Sequence, residues 1–198
     1  MNNLRILALF LIATLSSSCV MHRQAVQDVT LPPQRITQYG YSLVPLDEVG
    51  WVIGYRDSER IVLGKRGSDP DENIIIRAFS EVLPPLQSEE EFIGFSKSVL
   101  FMEGASRHKV ISQQTELVRY KSQPCVRTDT VMEDHGAVKR TSRTELMILE
   151  AYSLLCKHPN GSTGILVAYS HRYYQGHKEV ESRKKAQKIF DSIEFSSL

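Results

Sequence analysis

The sequence predicts an α+β domain over residues 41–198: an antiparallel β-sheet of about six to seven strands flanked by two amphipathic helices. Three observations carry this expectation. β-rich runs recur between turn clusters such as Gly67-Ser68-Asp69-Pro70 and His158-Pro159-Asn160-Gly161-Ser162. A capping signal at Ser88 heads an apolar stripe at helical spacing, and a second stripe of that kind closes the chain. Each helix has one apolar side only, so each needs a sheet to cover.

In chain order, Gly50–Tyr55 and Arg60–Lys65 flank the polar segment Arg56-Asp57-Ser58-Glu59 and form a hairpin. Asn73–Leu83 is a third strand, stopped by Pro84-Pro85. Ser88 and Glu91 make a capping box, in which each side chain satisfies the other's free backbone N–H. Phe92, Phe95, Val99 and Met102 then form one stripe on a helix from Glu89 to Glu103. Four more strands follow, over Lys109–Tyr120, Cys125–Glu133, Thr144–Lys157 and Gly164–Tyr174, as a sequential antiparallel meander. Leu146–Leu149 is apolar on both faces, which predicts a central strand covered on both sides. The last helix spans Val180–Ser192, with Ala186, Ile189, Phe190 and Ile193 beneath a basic, solvated face of Arg183, Lys184, Lys185 and Lys188.

Val44-Pro45 leading to Gly50-Trp51, the capped helix from Ser88, and the closing run Ala186–Phe195 together resemble the PsbP-like fold. That family is known from a photosystem II extrinsic subunit and from small bacterial lipoproteins. The resemblance implies a sandwich of sheet and helices and an accessory role rather than catalysis. In this chain five residues separate Pro45 from Trp51, where family members often have a tight Pro-x-Gly-Trp.

The N-terminus supplies an address. Arg5 precedes the apolar run Ile6–Leu15, three serines follow, and then Cys19. A positive head, a short apolar segment and a small-residue site constitute an export signal over residues 1–18, too short for a membrane span of roughly 20 apolar residues. Leu15-Ser16-Ser17-Ser18-Cys19 resembles the lipobox of bacterial lipoproteins, which implies diacylglycerol on Cys19. Val20 after the cysteine, in place of Asp, implies sorting to the outer membrane, with the domain in the periplasm. Ser16 and Ser18 also suit an ordinary signal peptidase, so a soluble periplasmic protein is the alternative. Residues 19–40 are polar, contain Pro32-Pro33 and are expected to be a flexible tether of ~25 Å reach.

With Cys19 lipidated, Cys125 and Cys156 remain as a pair in a compartment that permits disulfides. A turn near Val138 places Cys125 opposite Tyr152 or Ser153, so a bulge or an asymmetric turn is needed to bring the two sulfurs together. Two free thiols are the other reading.

The chain carries 24 Lys+Arg against 23 Asp+Glu, a balance that speaks against nucleic acid as a main partner. There is no G-x-S-x-G and no P-loop spacing. The densest chemical cluster is His171-Arg172-Tyr173-Tyr174-Gln175-Gly176-His177. Its two histidines lie six apart, which matches no usual zinc spacing, so neither a metal nor another cofactor is expected. The expected function is a non-enzymatic envelope lipoprotein that binds or supports a protein partner. Tyr169, His171, Tyr173 and Tyr174, expected at the exposed end of the sheet, are its candidate interaction surface. The alternatives are a metal-assisted hydrolase using His171 and His177, and a carrier of a small ligand or lipid.

Overall fold

A computed structural model of the protein describes residues 26–101, 107–141, 143–178 and 180–198. The export signal and Cys19 lie outside the described residues. Two antiparallel sheets make up the fold. The large one has eight strands: β1 (Gln27–Asp28), β4 (Val52–Arg56), β5 (Arg60–Arg66), β6 (Asn73–Val82), β7 (His108–Tyr120), β8 (Gln123–Asp134), β9 (Met147–Lys157) and β10 (Thr163–Tyr174). Their spatial order is β1-β4-β5-β6-β10-β9-β8-β7. The small sheet is β11-β3-β2, from β2 (Ile36–Gln38), β3 (Tyr41–Leu43) and β11 (Glu194–Phe195). The helices are α1 (Glu89–Phe101) and α2 (Ser182–Ser192).

The meander is as expected, and its turns explain its tightness. β7 and β8 are joined through Lys121 and Ser122, both at positive φ (46° and 67°), the two-residue turn whose twist suits a hairpin. One half of the capping box forms as expected, the Glu91 N–H donating to Ser88 Oγ (3.2 Å), while the Glu91 carboxylate reaches one residue further back and accepts from the Gln87 N–H (2.6 Å).

Side chains alternate across the large sheet, which gives it two cores. On one face Ile61, Leu63, Ile76, Leu154, Ile165, Val167 and Tyr169 pack under Tyr41, Leu43 and Trp51 from the N-terminal part and Ala186, Ile189 and Phe190 from α2. On the other, Val126, Leu155 and Leu166 meet Phe92 of α1 together with Leu83. The small sheet is held to the large one by specific bonds: Tyr41 donates its hydroxyl to the Ala78 carbonyl (2.7 Å), and Gln38 Nε2 donates to the Arg60 carbonyl (2.8 Å).

The fold class departs from the α+β expectation. Among the described residues the protein is mostly β, with eleven strands and two short helices, of 13 and 11 residues. The strands that went unread are β1, β2, β3 and β11, each two or three residues long, and no period-two pattern can be read over so short a run. Two of them fall in the stretch expected to be a tether: β1 pairs with β4 and β2 with β3.

Cys125 and Cys156 are disulfide-bonded and sit directly opposite each other in the β8–β9 pair. The expected register is several residues off, because the connection over residues 135–146 is centred between Arg140 and Thr141 rather than on Val138, and the pairing from Cys125–Cys156 to Asp134–Met147 runs without a bulge.

Candidate functional site

The chemical-looking residues gather at one end of the large sheet, where β6 begins, β8 ends, β9 begins and β10 ends. The turn before β6 sets the geometry. Asp69 accepts from the Asp71 N–H at 2.9 Å through its side chain and from the Glu72 N–H at 3.0 Å through its carbonyl. Asp71 and Glu72 then take opposite sides of the sheet, as consecutive residues of an extended chain do. Asp71 meets Tyr174, and Glu72 meets His171.

On the α2 side, His171 Nε2 lies 2.6 Å from Glu72 Oε1, and Ser182 Oγ lies 3.4 Å from His171 Nδ1. Burial pushes the Glu72 carboxyl up, but hydrogen bonds from the Asp69 backbone, His171 and Ser68 outweigh it and hold the group below its ordinary range. Beside this line Glu150, 2% exposed, pairs with Lys178 at 2.6 Å. The Tyr152 hydroxyl is pushed up to about 12, first by burial and then by the neighbouring Glu150 charge. Arg183 of α2 bonds Asp129 at 2.6 Å and lies over the Tyr152 ring.

The opposite side is organised by two acids. Asp71 accepts from the Tyr174 hydroxyl (2.7 Å), the Thr141 N–H (3.1 Å), the Thr141 hydroxyl and the Arg140 N–H. Burial opposes its ionisation, yet these donors hold its carboxyl well below the usual carboxylate range. Asp134 takes a bidentate pair of bonds from Arg107, both 2.6 Å, with Arg172 at 3.7 Å. The connection 135–146 is thereby fastened to the sheet. Outside it a solvent-open cleft of about 400 Å³ is lined by Arg143, Glu145, Leu146, Tyr174, Gln175 and His177. Arg143 lies over the Tyr174 ring at 4.9 Å and Lys139 at 5.6 Å.

This placement corrects the expected interaction surface. Tyr169, His171, Tyr173 and Tyr174 are 0%, 1%, 4% and 3% exposed, so none presents itself to a partner as the free structure stands. They lie on interior strand β10, between β6 and β9, and the loops fold over its end. His171 and His177 are also divided: His171 is engaged by Glu72, whereas His177 lines the cleft beside Tyr174. Among the described residues no group of three or more His, Cys, Asp and Glu is placed to hold a metal ion. Ser182, His171 and Glu72 are the residue types of a hydrolytic relay, and all three are buried. The basic face of α2 is partly committed internally, with Lys185 on Glu48 at 2.9 Å and Lys184 on Glu181 at 3.1 Å.

No family model matches the sequence, and no curated protein matches it. Among solved structures the chain is similar to the cyanobacterial PsbP (CyanoP) of Synechocystis, at 12% identity, with 85% of this chain and 95% of that one covered and a TM-score of 0.49. It is also similar to the Saccharomyces cerevisiae Ran-binding protein Mog1p, at 9% identity, with 83% and 96% covered and a TM-score of 0.44. The resemblance to PsbP is weak and holds at the level of fold. Among the described residues no helix is long and apolar enough to cross a membrane.

Proposed function

We propose that this chain is a non-enzymatic binding or assembly module of a bacterial envelope, held by lipid on Cys19 at the periplasmic face of the outer membrane. The leader Arg5–Cys19 supports the address. One observation supports the module: the ionisable groups at the sheet end are spent on fastening loops, and the polar rim they hold in place lies at the surface. Asp71 fixes the 135–146 connection, Lys178 is pinned to Glu150 and Arg143 to Asp69 at 3.0 Å, so Arg143, Glu145, Gln175 and His177 are held around the cleft. A partner meeting that rim finds an acid, a cation and an imidazole already positioned, at little further ordering cost.

The anchoring half is tested by a Cys19→Ser chain, expected to take up no labelled palmitate and to leave the membrane fraction; one still fractionating with membranes removes that half. The binding half is tested by a photo-crosslinking residue at Gln175 in intact cells, expected to give a discrete adduct that is lost when Arg143 and His177 are both replaced by Ala. An adduct indifferent to those replacements, or none, removes the rim as the contact.

A further inference from the structure

β7 is the edge of the large sheet and its longest strand, 13 residues or roughly 43 Å. It pairs only with β8 among the described residues, and its other edge is open. Residues 109–114 are all exposed, including Val110 at 47% and Ile111 at 54%. An open edge of that length, with apolar side chains on it, is a template for another strand.

The charges on β7 select the occupant. Lys109 and Glu116 stand opposite Glu133 and Arg127 of β8, so both point to the same face of the sheet. Glu116 is exposed and has no ion-pair partner among the described residues, while Lys109 pairs with Glu133 of its own chain at 3.2 Å yet leaves its side chain 70% exposed. The strand also holds a bulge between Val110 and Ser112, which shifts the alternation by one residue. Laid antiparallel against a second copy with Gln113 on the two-fold axis, the bulge of each strand falls opposite Gln114 of the other. Val110 then meets Thr115, and Lys109 meets Glu116, twice by symmetry. Each of these pairs falls on one face, as cross-strand neighbours must.

We infer that β7 is a self-complementary edge through which two copies of this chain join antiparallel into one continuous sheet centred on Gln113. The pairing is isologous, so one surface serves both partners and the assembly closes at two. The open edges are covered, the exposed Val110 and Ile111 are brought against the partner strand, and Glu116 gains a cation. The inference rests on the fold and the register of β7, and stands whether or not Cys19 is lipidated.

Sedimentation equilibrium and cysteine crosslinking test it on the full chain carrying Cys19→Ser. The expected result is a monomer–dimer equilibrium that Lys109→Glu or Glu116→Lys each weakens by about tenfold or more, since either reversal turns two attractive pairs repulsive. The double variant with both reversals restores dimerisation, which loss of folding would not. Gln113→Cys is expected to form a disulfide-linked dimer on mild oxidation. Arg119→Cys, whose copies stand ~40 Å apart in this register, is expected not to. A chain that stays monomeric at several hundred micromolar overturns the inference, as does a dimer indifferent to both reversals or equal crosslinking at the two cysteines. Crosslinking of Gln113→Cys to a different protein, with no self-association, also overturns it.

Discussion

Replacing Cys125 and Cys156 together by alanine is expected to lower the unfolding free energy by about 3–4 kcal/mol. The disulfide closes a loop with a sequence separation of 31, and in the chain-entropy account that closure removes this much freedom from the unfolded chain. For a protein of this size the loss corresponds to a drop in melting temperature of roughly 10 °C. Both cysteines are buried, at 0% and 2% exposure, and belong to the core under α2 and the small sheet. Alanine is used because serine would bury a hydroxyl and confuse two effects. The same fall should follow reduction of the wild-type chain once it has been unfolded and refolded with thiols kept reduced. Thermal unfolding followed by circular dichroism measures both, and a shift below about 2 °C would show that the loop is restrained by other means.

Glu72→Ala is expected to cost a comparable amount, about 3–5 kcal/mol, by leaving His171 buried without its carboxylate. Two more donors lose their acceptor, since Ser68 Oγ and the Asp69 N–H both reach Glu72 Oε2 at 3.0 and 3.2 Å. Replacing Glu72 and His171 together by leucine is expected to recover much of the loss, because an apolar pair carries no desolvation cost. Urea unfolding of the two variants separates the alternatives, and a double variant no better than Glu72→Ala would count against this account. Glu72 also contributes to the acid response, together with Asp134. Glu72 and Asp134 ionise more readily folded than unfolded, so their contribution is complete above the ordinary carboxylate range near pH 4–4.5 and is lost progressively as pH falls from there through their lowered folded values. Wild-type stability should therefore fall below about pH 5, and Glu72→Ala should show a shallower decline.

Most of the large sheet was legible because its strands are long enough to show their period. β6, β7, β8 and β10 lie within two residues of their expected bounds, and α1 begins where Ser88 and Glu91 place it. The small sheet was illegible for the opposite reason. Tyr41-Ser42-Leu43 pairs on one edge with Glu194-Phe195 across the whole chain, Ser42 opposite Glu194 and Tyr41 opposite Phe195, a pairing that no local window contains; on its other edge it pairs with Ile36-Thr37-Gln38, a local hairpin whose arms are only three residues each. The site failed on burial rather than on identity. Tyr169, His171, Tyr173 and Tyr174 do cluster in a polar end of the molecule, but a strand ending in aromatic and polar residues reads the same whether it is covered or bare. Asp71 and Glu72 were the signal available: two buried acids at the end of the Gly67–Pro70 turn, each of which needs donors to satisfy it.

The disulfide has a further consequence for how the protein wears out. The 135–146 connection is the long surface excursion between β8 and β9, and its exposed tip at Val138 and Arg140 is the kind of site where proteases cut. Both ends of that excursion lie inside the covalent ring closed by Cys125 and Cys156. A single cut there leaves two fragments that cannot diffuse apart, with β8 and β9 still in register and Asp71 still gripping Thr141. The nicked molecule keeps its shape and its mass until a reductant reaches a bond buried in the core, so damage at the surface is tolerated where thiols are scarce.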